Sequence, residues 1–310
     1  MANDVVVIGG SFAGLSAALQ LGRAGRTVLV LDAGAPRNRN VRHSHGLFGL
    51  DGERPGKILD QARGQVLSYP TVRVQKAAVI DVAHVDGRFH LSTRDGDRIE
   101  AGCLLLATGV TDTLPEIEGL RERWGTSVLH CPYCHGFEFM GKRIGVLART
   151  PMAVHQALLL ADWGPVTLFT NGAITPDPQQ TARLAARRVR IETVAVASLT
   201  GEGEALHGIR LQDGRILDLD VLYTAPTIGL NNGWIAALGC DIDQGPLGPL
   251  IRTGPGQSTN VPGLYAAGDC ARQPHNATFA AADGVAAAMA IHMRLIEADI
   301  QRNLPDSADR

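Results

Sequence analysis

Two cysteines three residues apart, in Cys131-Pro132-Tyr133-Cys134, are the side chains of this sequence best suited to chemistry. The spacing lets two sulfurs meet in a small disulfide ring, where one thiolate is favoured by its partner and by a nearby helix end. His130 and His135 flank the pair. With an ordinary pKa near ~6.5, a histidine such as His135 takes a thiol proton at neutral pH.

Three other readings of the pair compete. A structural zinc site usually adds a second close ligand pair, whereas Cys103, Cys240 and Cys270 are isolated, so the two histidines alone keep zinc in play. A small thioredoxin-like domain would carry the tetrapeptide near its own N-terminus. Two inert surface cysteines are the last alternative. Five cysteines in 310 residues make no disulfide framework. The start, Met1-Ala2-Asn3-Asp4 running into Val5-Val6-Val7-Ile8, lacks the features of a signal peptide. Cytoplasmic localisation is expected, and there a close cysteine pair is redox-active or metal-binding more often than structural.

A second group with chemical meaning opens the chain. Val5–Ile8 reads as a buried parallel strand and meets Gly9-Gly10-Ser11-Phe12-Ala13-Gly14, after which Leu15, Ala18, Leu19 and Leu21 recur at helical spacing. Thr27–Leu31 reads as a second strand ending on Asp32, 23 residues after Gly9. Strand, glycine turn, helix, strand and acid are the layout of a dinucleotide-binding βαβ unit. The glycines let backbone lie against a pyrophosphate, the helix start offers unpaired N–H groups, and Asp32 accepts from a ribose. Ser11 stands where a second glycine of the pattern belongs. An ordinary α/β crossover is the alternative.

The elements that position these groups follow from composition and from later segments. The chain is globular in composition, 45% hydrophobic and 19% charged, with 36 glycines, well above the usual ~7%. A net charge of −2, 5% aromatic residues and no long basic run argue against nucleic acid. No stretch reads as the ~20 apolar residues of a membrane span. Cys103–Leu106 reads as a buried strand entering Ala107-Thr108-Gly109, and Gly263–Ala267 as another entering Gly268-Asp269. A helix is expected from about Ala277 to Ile300. Three strand ends at one edge fit a long ligand lying across the sheet.

At this point the sequence resembles the flavoproteins with two dinucleotide domains, thioredoxin reductases and their relatives, over essentially the whole chain. The resemblance implies FAD: Gly9, Gly10, Ser11, Ala13, Gly14 and Asp32 at its ADP half, Thr108 and Gly109 closing the site, and Gly268 and Asp269 at the ribitol. Val79 joins the cofactor-contacting residues on the same ground. It further implies that Cys134 lies against the flavin while Cys131 exchanges with a substrate dithiol. His135 replaces the aspartate that ordinary thioredoxin reductases carry after the pair. His275-Asn276-Ala277 occupies the place of Arg-Gln-Ala beside the flavin, where His275 would polarise the ring or help protonate it. A homodimer follows from the resemblance alone.

The second βαβ unit departs from the NADPH-using pattern. Ile144–Ala148 and Val166–Phe169 read as its strands, but the intervening turn is Ala148-Arg149-Thr150-Pro151-Met152, with no glycine. Arg149 and the Cβ atoms would crowd a pyrophosphate, and Pro151 removes a donor near the helix start. The second strand ends Thr170-Asn171-Gly172, without a cation for a 2′-phosphate. With that site lost, electrons must enter through a dithiol. The pattern is then similar to that of the dithiol oxidases that close disulfides in gliotoxin, holomycin and romidepsin. Cys131-Pro132-Tyr133-Cys134-His135-Gly136, with Glu138 nearby, matches their cluster. Arg37-Asn38-Arg39-Asn40 and His45-Gly46 also resemble that branch, and Arg37, Asn38 and His45 are expected on the pyrophosphate and ring side of the flavin.

The expectation is therefore an α/β protein with two Rossmann-like domains of the thioredoxin reductase type. An FAD domain is built from 1–113 and 237–310, and an inserted domain at 114–236 carries the cysteine pair and is degenerate for NADPH. The expected reaction oxidises a small-molecule dithiol, passing electrons to FAD and then to oxygen, with no metal. An NADPH-dependent thioredoxin reductase and a non-enzymatic zinc or scaffold protein are the rivals.

Overall fold

The computed structural model describes residues 3–304; Met1 and Ala2, used above against a leader, lie outside them. Continuous apolar runs become central parallel strands. β1 (Asn3–Ile8) pairs in parallel with β2 (Val28–Asp32) and with β6 (Arg98–Leu106), and Val5, Val6, Val7, Leu104, Leu105 and Leu106 are fully buried. β2 also pairs with β3 (Val72–Lys76). The mixed sheet runs β3-β2-β1-β6-β5-β4, where β4 is Val79–Val85 and β5 is Arg88–Thr93. The long β6 serves two neighbours. Its first half pairs antiparallel with β5, and its second half, Leu104–Leu106, pairs parallel with the strand Leu264–Ala266.

That last pairing returns the C-terminal segment to the sheet begun by residue 3. The strands that complete the second sheet lie between them in the chain. After β7 (Val110–Thr113) come β8 (Val128–Leu129), β9 (Ile144–Leu147), β10 (Val166–Phe169) and β11 (Arg190–Glu192). A three-stranded antiparallel sheet follows: β12 (Val196–Thr200), β13 (Gly208–Leu211) and β14 (Ile216–Asp218). β15 (Val221–Thr224) then joins the second parallel sheet, ordered β11-β10-β9-β15-β8. β16 (Thr227–Leu230) pairs antiparallel with β7, so both connections between the sheets run side by side. Each sheet has its own core: Ile144, Val146, Leu168 and Tyr223 belong to one cluster in the second, Val5, Val7, Val30 and Leu105 to one in the first.

Helix α1 (Phe12–Arg23) follows β1, and α2 (Pro55–Leu67) precedes β3. The one-turn helix α3 (Pro132–His135) carries the cysteine pair, and α4 (Met152–Leu160) follows β9. After α5 (Pro178–Ala186) and α6 (Trp234–Ala237), the last helix among the described residues is α7 (Ala277–Asn303), close to the helix expected there. One expectation is corrected by α7, which is long and apolar enough to cross a membrane by length and composition. Several of those apolar residues are alanines facing protein. Ala280, Ala287, Ala288 and Ile291 are buried, and a Cβ on Gly284 would lie 2.1 Å from the Ala13 carbonyl oxygen of α1. Spacing by small residues lets two helices pack closely. Helical periodicity, not a continuous apolar run, is the signal that composition alone obscured.

Candidate active site

The C-terminal ends of β1, β2, β6 and Leu264–Ala266 point to one edge of the first sheet, as their parallel registers require. The turn after β1 needs its glycines. Gly9 sits at φ +112°, and a Cβ there would lie 2.1 Å from the Ala107 carbonyl oxygen; at Gly14 it would lie 1.8 Å from the Gly9 oxygen. Gly10 lies against Asp32, where a Cβ would meet the Asp32 side chain at 2.8 Å. Ser11 is the N-cap of α1 yet makes no side-chain cap bond. The first N–H groups of that helix, those of Ala13 and Gly14 included, therefore have no intrahelical partner and remain for an anion. Asp32 accepts from Gly34 N at 3.1 Å and from Arg63 Nη2 at 3.1 Å. Arg63, on α2, is a partner that the local pattern around Asp32 did not signal.

The opposite side of the edge is built from Thr108, Gly109, Gly268 and Asp269. The Thr108 carbonyl accepts from Asn231 Nδ2 at 2.6 Å, tying that turn to the end of β16. Gly268 (φ +78°) places backbone beside Ala13 and Ala280. Val79 is buried in a core cluster with Ile8 and Leu31, beneath the same strand ends. Asn276 caps α7: its Oδ1 accepts from Thr278 N at 2.8 Å and Phe279 N at 3.4 Å, so that oxygen is already used. Ala277 begins the helix.

Arg37 is not a free cation for a pyrophosphate. Its Nε donates to Asp112 Oδ2 at 2.9 Å and its Nη2 to Asp112 Oδ1 at 2.5 Å; Nη1 donates to Asp269 Oδ2 at 2.8 Å and contacts His275 Nδ1 at 2.6 Å. Burial alone would lower the Arg37 pKa, but the two carboxylates more than offset it and hold it above the ordinary value. Asp112, on β7, was missed by sequence reasoning because an acid in a short linker strand has no pattern of its own. Asn38, in the 3-10 turn Arg37–Asn40, uses its carbonyl to accept from Val41 N at 3.2 Å.

The cysteines form a disulfide, Cys131–Cys134, with Cα atoms 5.3 Å apart. Cys131 caps α3, and its Sγ accepts from Cys134 N at 3.2 Å, the kind of donor that stabilises a thiolate. Around the pair, Tyr223 donates its hydroxyl to the His135 carbonyl at 3.0 Å, and Gln156 Nε2 donates to the His130 carbonyl at 2.9 Å. Gly136 packs under Trp163, which a Cβ would meet at 2.8 Å. His45 reaches this region: its Nε2 lies 3.3 Å from Glu138 Oε1, and its ring centroid 6.1 Å from that of His135. The 37–52 loop thus touches the dithiol turn, a contact that local spacing does not encode.

Burial favours the neutral form of three histidines around the site, His130, His135 and His275. Burial lowers the His135 pKa, Glu138 opposes this and His45 adds to it. Burial, then Arg37, pushes His130 down to about 3 where it stacks on Trp124 with centroids 5.8 Å apart. Burial likewise lowers His275. The remaining cysteines are poor nucleophiles: burial raises the Cys240 and Cys270 thiols to about 11 and also raises Cys103.

Comparison with known proteins agrees with this arrangement. A family model for pyridine nucleotide-disulphide oxidoreductases matches residues 3–284, and the chain belongs to that family. It is 33% identical over 319 residues to thioredoxin reductase tcpT of Claviceps purpurea (strain 20.1), covering 97% of each protein. It is similar to the crystal structure of an oxidoreductase from Agrobacterium tumefaciens, with 48% identity, a TM-score of 0.92 and coverage of 96% of this chain and 99% of that one. The crystal structure of HlmI is also similar, with 35% identity, a TM-score of 0.91 and coverage of 97% and 95%. The α/β fold is that of thioredoxin-reductase-type proteins with two Rossmann domains, and the protein is an FAD oxidoreductase acting on disulfides.

The residues present fit FAD. Two buried donors, Gln273 Nε2 and His275 Nε2, have no partner among the described residues. An orphaned buried donor costs about 1–3 kcal/mol, a cost that a bound acceptor removes. The free helix start and the glycine turn beside Asp32 complete the match.

Proposed function

We propose that the protein oxidises a small-molecule dithiol to its intramolecular disulfide without NADPH, with oxygen as the final acceptor. The observation that carries this reading is the turn after β9. Arg149 folds back across it, donating Nη1 to the Thr113 carbonyl at 2.9 Å. Pro151 is the N-cap of α4 and caps it with no side-chain bond. At the end of β10, Asn171 Oδ1 accepts from Val196 N at 2.9 Å, so the position where a cation would hold a 2′-phosphate is a structural amide. Thr170–Gly172 offers a phosphate no cation, and the one cation of Ala148–Pro151, Arg149, is engaged with the Thr113 carbonyl.

The chemistry of the chain's own residues runs as follows. A substrate thiol gives its proton to neutral His135, and the thiolate attacks Cys131 Sγ. The Cys131–Cys134 bond breaks and Cys134 leaves as a thiolate. Protonated His135 returns its proton to Cys134 and, neutral again, takes that of the second substrate thiol, whose thiolate displaces Cys131 from the mixed disulfide. Cys131 is suited to leave because Cys134 N–H donates to its sulfur. FAD, when bound, supplies two-electron acceptor chemistry that returns the enzyme dithiol to the disulfide. The net reaction is dithiol plus O2 giving cyclic disulfide plus H2O2. The setting is a cytoplasmic homodimer with no metal, nucleic acid or membrane.

The test is anaerobic titration of the FAD-loaded protein. A small dithiol is expected to bleach the flavin absorbance stoichiometrically, while NADPH and NADH leave it unchanged. Full, rapid bleaching by stoichiometric NADPH would instead make the protein an NADPH-dependent reductase.

A further inference from the structure

We infer that Arg37 is a positioning residue that locks His275 as the neutral tautomer protonated on Nε2, so that His275 presents a hydrogen-bond donor and not a base. A guanidinium has five N–H donors and no acceptor. The 2.6 Å contact from Arg37 Nη1 to His275 Nδ1 therefore requires Nδ1 to be the acceptor. A proton on Nδ1 would set two N–H groups head to head. The neutral ring must then carry its proton on Nε2, the nitrogen that is buried and unpartnered.

Arg37 cannot turn away to release the ring. Asp112 binds its Nε and Nη2, and Asp269 binds the other proton of Nη1, so three elements fix the fork: the 37–40 turn, β7 and the turn after Leu264–Ala266. Arg is suited to this, since one planar group serves two carboxylates and an imidazole at fixed angles. The groups acting on His275 are Asp269, through its carboxylate and its backbone carbonyl, and Asp112, which favour a cation, and Arg37, which disfavours it; His130, nearby, stays neutral. Direct contact with the cation decides the outcome, because the same nitrogen cannot both accept from Arg37 and hold a proton.

The consequence divides labour between the histidines. His135, with no such lock, takes protons at the dithiol; His275 offers one oriented N–H toward the cofactor edge. This division rests on the dithiol-oxidase reading for the direction of proton flow. The tautomer itself does not, so the two fail separately.

The experiment is nitrogen NMR of FAD-loaded protein labelled at histidine. His275 is expected to show an unprotonated Nδ1 and a protonated Nε2, unchanged from about pH 5 to 8. A protonated Nδ1, or titration in that window, overturns the proposal. Arg37→Gln is expected to free the ring to titrate there; a His275 that stays locked in a folded Arg37→Gln protein also overturns it. Turnover supplies a second readout. His275→Ala is expected to lose on the order of a hundredfold, the cost of removing one oriented donor. His275→Gln keeps an acceptor for Arg37 and an N–H donor, and is expected to recover all but about tenfold of normal turnover. A glutamine variant as slow as the alanine variant means that His275 acts as a base. The NMR measurement on the unaltered protein decides the tautomer even if a variant fails to fold.

Discussion

The turns after β1 and β9 occupy the same place in two copies of one topology, each between a buried parallel strand and a helix. After β1, Gly9 at φ +112° and Gly14 let backbone pass within van der Waals range of backbone, and the start of α1 keeps its donors unspent. After β9, Arg149 spans to the Thr113 carbonyl and Pro151 heads the helix. The central strands of both sheets are buried. The lesson is that apolar strands maintain the architecture, while three or four turn residues decide whether it holds a nucleotide. On the proposed reading, the second Rossmann unit has lost its ligand and kept its fold.

The sharpest way to break this comparison is to fill the first turn. Gly14→Ala drives a Cβ to 1.8 Å from the Gly9 carbonyl oxygen, a backbone atom that cannot move aside. We expect protein without FAD, and much of it unfolded, by flavin content and thermal melting. A yellow, normally stable Gly14→Ala protein would remove the close-approach argument.

Next in size is the proton acceptor at the dithiol. His135→Ala is expected to keep FAD and lose about a hundredfold in turnover at pH 7. Because burial lowers the His135 pKa, the normal enzyme keeps a neutral base to below pH 6.5, whereas the variant depends on substrate ionisation and gains rate steeply toward high pH. Equal turnover of the two proteins across the neutral range would exclude His135.

A stability effect separates the second unit from the first. His130 leads into the cysteine turn and stays neutral down to about 3, against 6.5 when unfolded. Below 6.5 the unfolded chain binds a proton that the native protein refuses, so native stability falls as pH drops from 6.5 toward 3. At about pH 4 the loss is on the order of 3 kcal/mol, in the same direction as the smaller effects of His135 and His275. Urea unfolding at neutral and at about pH 4 should show this, and His130→Phe should reduce the acid sensitivity. An identical acid loss in His130→Phe would place the titration elsewhere.

The smallest effect concerns Arg149. Arg149→Ala removes one partly exposed hydrogen bond to Thr113 and should cost under about 1 kcal/mol, with unchanged FAD content and still no flavin bleaching by NADPH. Bleaching restored by this one change would show that the arginine alone, and not the whole turn, closes the second unit.

Much of this protein was legible before any coordinates. Val5–Ile8 and Val166–Phe169 are short β-branched and apolar runs bounded by turn residues, the long C-terminal helix has helical spacing, and Gly9–Gly14 with Asp32 is a local pattern whose physics is local. Three residues of separation allowed the Cys131–Cys134 disulfide but left zinc ligation and inert thiols open; the bond itself is seen in the structure. Membership of α7 in the core was harder to read, because its length and composition also suit a membrane and only its contact with α1 shows which solvent its alanines meet.

What the tertiary structure alone decided is which distant groups meet. Arg37 lies 75 residues from Asp112, 232 from Asp269 and 238 from His275, and no pattern in any of those stretches announces a shared guanidinium. His45 and Glu138 are brought together in the same way. Strands and turns are set by forces that act within a few residues, so sequence determines them directly. The tautomer of a histidine or the occupation of an arginine depends on side chains gathered by folding, where a few tenths of an ångström select donor or acceptor.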